Sequence, residues 1–134
     1  MRKIKQFTYV CYASGLSHSA IRSFKIVVDR TGGINIRMTG SCEINDYAGM
    51  GFEKAQSLFE FLDQMELPEQ HTYTSPITDG DRWRFQIDDE EEYSGYVRRP
   101  DFLKEILTAI DYRDIREKYS KAYEQYVFAR DGKK

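Results

Sequence analysis

Residues 34–44 carry the clearest hydrophobic pattern in the chain. Ile34, Ile36, Met38, Gly40, Cys42 and Ile44 alternate with Asn35, Arg37, Thr39, Ser41 and Glu43. Successive side chains point to opposite faces of a strand, so this alternation predicts a strand with one core face and one wet face. A sheet with a wet face is typically antiparallel. Gly40 marks either a bulge or a place where a large neighbour comes close. Upstream, residues 21–29 set Phe24, Ile26 and Val28 on one face, and Arg30-Thr31-Gly32-Gly33 supplies the turn of a hairpin. Residues 4–13 alternate Phe7, Tyr9, Cys11 and Ala13 with Thr8, Val10 and Tyr12. Apolar residues on both faces place that strand centrally in the sheet.

The period then changes. Phe52, Ala55, Leu58, Phe59, Leu62 and Met65 follow helical spacing and predict a helix over 52–65, with Glu53 at its positive end and Pro68 beyond its close. Residues 45–51 read as the loop leading into it. A short strand is expected at 71–77, confined to an edge by Pro76. Asp79-Gly80-Asp81 turns into a strand over 82–88, where Trp83, Phe85 and Ile87 alternate with Arg82, Arg84 and Gln86. Pro100 suits the first position of a helix whose stripe is Phe102, Leu103, Ile106, Leu107 and Ile110. Residues 111–114 either cap a third helix, bearing Ile115, Tyr119, Tyr123 and Tyr126, or kink a continuous one. The whole predicts one α+β domain over residues 1–134. Its sheet is mostly antiparallel and five-stranded, packed against helices in the order β-β-β-α-β-β-α, with the last helix single or divided.

Composition agrees with this and adds limits. In 134 residues, 40% hydrophobic and 14% aromatic, there is enough apolar area to offset chain entropy without disulfides or metals. Cys11 and Cys42 lie on apolar strand positions and read as reduced, buried thiols. Arg2, Lys3 and Lys5 precede an apolar segment that Thr8, Tyr9 and Tyr12 interrupt, so the segment reads as a strand and not as a signal sequence. No stretch approaches the roughly 18 apolar residues of a membrane span, and a cytoplasmic protein with no membrane partner is expected.

Charge alters the picture more. Residues 1–40 carry a net +6, residues 41–93 a net −11 and residues 94–134 a net +3. Such blocks either neutralise one another across the fold or mark binding surfaces. The acidic run Asp88-Asp89-Glu90-Glu91-Glu92, followed by Tyr93-Ser94-Gly95-Tyr96, is the most conspicuous feature. It lacks the alternating acids and central glycine of a Ca²⁺ loop, so no metal or cofactor is expected there. Asp79, Asp81 and Glu92 do not make a nuclease set, since the following strand offers Arg82 and Arg84 where such a site wants a lysine or another base. His18, His71, Cys11 and Cys42 lack zinc-site spacing, and no nucleophile elbow or phosphate loop is present.

These absences favour a non-catalytic protein-interaction domain, with no enzyme activity and an unidentified protein partner. Its sharpest form is an inhibitor, immunity or anti-defence protein of bacterial or phage origin. Asp88, Asp89, Glu90, Glu91 and Glu92 would be its acidic lure, and Tyr93, Tyr96 and Tyr126 its aromatic anchors. Self-association through the tyrosine row of the last helix is a related expectation. The first alternative is a nucleic-acid-binding accessory protein using a basic sheet face of Lys25, Arg37, Arg82 and Arg84. The second is a small-ligand-binding protein or an enzyme whose site assembles from dispersed residues.

Overall fold

β-Branched and aromatic residues at alternating positions dictate most of the sheet seen in the computed structural model, which describes residues 3–13, 20–73 and 81–131. Seven strands form it: β1 (Gln6–Tyr12), β2 (Ile21–Asp29), β3 (Gly33–Gly40), β4 (Glu43–Gly49), β5 (Thr72–Tyr73), β6 (Arg82–Ile87) and β7 (Tyr93–Tyr96). Three helices complete the order: α1 (Phe52–Gln64) follows β4, while α2 (Asp101–Ala109) and α3 (Tyr112–Asp131) follow β7. Across the sheet the strands run β4-β3-β2-β1-β6-β7-β5. All pairings are antiparallel except β5 with β7, which is parallel.

The α+β class and the central place of β1 agree with the sequence. The five-stranded antiparallel sheet does not: there are seven strands, the sheet is mixed, and the element order is β-β-β-β-α-β-β-β-α-α. The long strand expected at 34–44 breaks at Ser41–Cys42, and its tail becomes β4, which continues through residues read as loop. β4 is rich in Asn, Asp and Gly, which strands disfavour, and it pairs on one side only. β7 lies directly after the acidic run and pairs with β6 as a hairpin. Of the expected 71–77 strand, Thr72–Tyr73 forms β5, while Pro76 lies outside the described residues, as do His18, Asp79 and Gly80.

Phe7, Tyr9, Phe24, Ile26, Ile36, Trp83 and Phe85 fill the helix-covered face and are fully or almost fully buried. Leu58, Phe59 and Leu62 of α1, and Leu103, Ile106 and Leu107 of α2, close over them. The opposite face, bearing Thr8, Val10, Tyr12, Ser23, Lys25 and Arg37, carries no helix. Asp111, at φ 55°, breaks the path between α2 and α3, so the tail is two helices.

Candidate functional site

α2 and α3 meet at a sharp corner, and the inside of that corner is a cleft of about 840 Å³. Pockets of roughly 300–1,000 Å³ are the usual size for small ligands. Helical spacing builds its walls. Lys104, Leu107 and Thr108 come from α2 and Asp111 from the turn after it, while Arg113, Glu117 and Ser120 recur three to four residues apart along α3.

The floor is polar and comes from four parts of the chain. Arg99, in the loop before α2, donates from Nε to the Tyr9 hydroxyl at 2.5 Å and from Nη2 to Cys11 Sγ at 3.9 Å. Arg116 of α3 donates from Nη1 to the Tyr112 hydroxyl at 3.2 Å and lies 5.3 Å from the centre of the Phe24 ring. Tyr9 meets Tyr112 edge-on at 5.0 Å. Two guanidinium groups thus border one cleft, and Cys11, which Arg99 bonds, is only 2% exposed.

Neither Arg99 nor Arg116 has an ion-pair partner among the described residues. Three acids line the cleft: Asp111, engaged by Lys54 at 2.8 Å, Glu117, engaged by Lys121 at 3.3 Å, and Asp114, which pairs with neither arginine. The phenols cannot supply the missing negative charge. Burial, with the neighbouring Cys11, pushes both Tyr9 and Tyr112 far above the ordinary tyrosine range, so both are neutral near pH 7. Burial also disfavours the charge on each arginine. Contact with Tyr9 and Cys11 outweighs this for Arg99, as contact with Tyr112 and Cys11 does for Arg116, and both pKa values are raised.

The chain matches no protein-family model and no curated protein.

The residues singled out in the sequence lie elsewhere. The acidic run is the β6–β7 hairpin loop, and part of it serves the fold. Asp88 accepts the N–H groups of Lys5 and Gln6 at 3.1 and 3.0 Å, tying down the start of β1. Glu92 faces Arg84 at 3.6 Å and Glu91 faces His71 at 3.6 Å, leaving Asp89, Glu90 and Glu91 exposed at the tip. Tyr93 is 3% exposed, stacks on His71 and donates to the Pro68 carbonyl at 2.8 Å, so it is a core residue. Tyr126 is exposed on α3, three residues past Tyr123, which is bonded to Cys42 beside the far edge strand β4. Tyr96 lies on the open face opposite Arg82. The eight residues therefore do not form one patch.

Lys25, Arg37, Arg82 and Arg84 do share the open face. Among the described residues no cluster of His, Cys, Asp and Glu could hold a metal, and no helix is long and apolar enough to cross a membrane. Arg99, Arg116, Tyr9 and Tyr112 gave no sequence signal as a site. They are separated by up to 107 positions and follow no motif. The one available hint was an arginine beside Pro100 at a predicted helix start.

Proposed function

We propose that this protein binds a small anionic ligand, bearing a carboxylate or phosphate, in the α2–α3 cleft. The observation that carries this is that Arg99 and Arg116 line one cleft, each bonded to a buried tyrosine hydroxyl and neither with a carboxylate partner among the described residues. Half-buried cations of one sign repel each other and have lost part of their hydration, so such a pair is held at a cost unless an anion completes it. Guanidinium suits the task, because its fixed fork of N–H groups matches the oxygens of carboxylate and phosphate. Each arginine commits one N–H to a tyrosine hydroxyl, which fixes the plane of the fork and leaves other donors available. Ser120 adds a hydroxyl at the wall, and Leu107 an apolar side.

The test is calorimetric titration with inorganic phosphate, pyrophosphate and citrate, beside thermal melts in each. Binding of at least one anion is expected, with a rise in melting temperature. Arg99→Gln and Arg116→Gln should each weaken it about 10- to 100-fold, the value of a charge-assisted hydrogen bond of roughly 1.5–3 kcal/mol. Lys118→Ala, outside the cleft lining, should change little. No heat and no thermal shift with any of the three anions would refute the proposal.

A further inference from the structure

The face of the sheet without helices is the second unassigned surface. Strand register places its charges in two rows. Arg37, Lys25, Val10, Arg84 and Ser94 lie side by side on β3, β2, β1, β6 and β7. The adjoining row is Glu43, Thr39, Ser23, Tyr12, Arg82 and Tyr96. A depression of about 290 Å³ lies over the middle of both rows.

Four cations and two carboxylates, Glu43 and Glu92, give this face a net +2 in a chain whose overall charge is −2. Lys25 stands directly opposite Arg37 on the neighbouring strand. Like charges so placed oppose sheet formation. Glu43 relieves Arg37 at 2.6 Å, but Lys25 has no ion-pair partner among the described residues. Both ion pairs of the face are close to half exposed, so a polyanion would exchange for them readily. Beside the charges, the Arg82 guanidinium lies 4.9 Å from the centre of the Tyr12 ring, with Tyr96 as its cross-strand neighbour.

We infer that this face binds single-stranded nucleic acid. Arg37, Lys25 and Arg84 span about 15 Å across three strand spacings and meet successive backbone phosphates. The Arg82–Tyr12 stack offers a planar platform for an unpaired base, which a duplex keeps hidden. An acidic peptide would satisfy the cations but has no use for the platform. The site is independent of the cleft, which lies on the other side of the sheet.

The test is fluorescence anisotropy with a labelled oligouridine of about twelve nucleotides. A duplex of equal length and a polyglutamate peptide serve as competitors. The oligouridine should bind at low salt, with log K falling against log salt at a slope near −2, about 0.7 for each of three phosphates. The exposed triple variant K25A/R37A/R84A should lose at least tenfold in affinity and flatten the slope. Tyr12→Leu, which keeps apolar bulk at the sheet surface, should weaken RNA binding without changing the slope. R99Q/R116Q should bind RNA as the unaltered protein does, which separates this face from the cleft. The inference fails if there is no binding at about 50 mM salt, if the triple variant is unchanged, or if polyglutamate or duplex competes as well as oligouridine.

Discussion

One hydroxyl holds the β3–β4 corner to the last helix. Tyr123 Oη accepts the Cys42 N–H at 3.2 Å and donates to the Cys42 carbonyl at 2.7 Å, and its ring is 1% exposed. Gly40 makes this possible. A β-carbon there would overlap the Ala20 carbonyl and stand 2.7 Å from that same hydroxyl. Tyr123→Phe keeps the packing and strands a part-buried carbonyl, so a loss of about 1–2 kcal/mol is expected in urea unfolding. Gly40→Ala forces backbone apart and should destabilise more, about 1–3 kcal/mol or above by the same measurement. Close approach at Gly40 was one of the two readings the sequence offered. Its partner, 83 positions away, was not legible, because one tyrosine in a helical row looks like the next until packing buries it.

Among the elements, α1 is anchored by a charge pair as well as by its stripe. Arg30, in the β2–β3 turn, pairs with Asp63 of α1 at 2.6 Å and donates to the Ile4 carbonyl at 2.7 Å. Asp63 in turn accepts the Ile4 N–H at 2.8 Å. The Arg30 hydrogen bond holds the Asp63 carboxyl below its ordinary value, and Thr31 does the same for Asp29. A carboxyl depressed on folding adds stability that is present above its unfolded pKa of 3.8 and is lost as pH falls through the folded value. Chemical unfolding of the unaltered protein from pH 6 down to about 2 should show that loss. Asp63→Asn should start less stable at pH 6 and lose less on acidification. Equal pH slopes would count against the coupling. Periodicity revealed α1, α2 and the faces of β2, β3 and β6 because each buries a complete stripe. It missed β4 and β7, whose pairing depends on neighbours and hardly on their own residues.

Over the whole molecule, the charge blocks of the sequence are interleaved. Arg30 of the basic segment meets Asp63 of the acidic one, and Arg37 meets Glu43. Among the described residues, Lys25 on the open sheet face and Arg99 and Arg116 on the cleft floor have no ion-pair partner. The exposed sheet edge is also managed. β4 has no outer neighbour, yet the Tyr47 N–H is taken by Asp46 at 2.8 Å and its carbonyl by the Tyr119 hydroxyl at 3.2 Å. An unpaired edge is a template for association. The double variant Asp46→Ala, Tyr119→Phe should therefore form concentration-dependent oligomers by light scattering, while the unaltered protein shows less association at the same concentrations.

Local rules settled what local chemistry controls. Alternation, helical period and turn residues determined the α+β class, the two-faced sheet and the grouping of Lys25, Arg37, Arg82 and Arg84, because strand geometry sends alternate side chains to one face. Only the tertiary structure decided the strand order, the folding of the acidic run into a hairpin and the burial of Tyr93. It alone brought Arg99 and Arg116 together in the cleft between α2 and α3. Those two arginines share no period or motif, and their convergence follows from where β1, a loop and two helices pack, which no local window of the sequence contains.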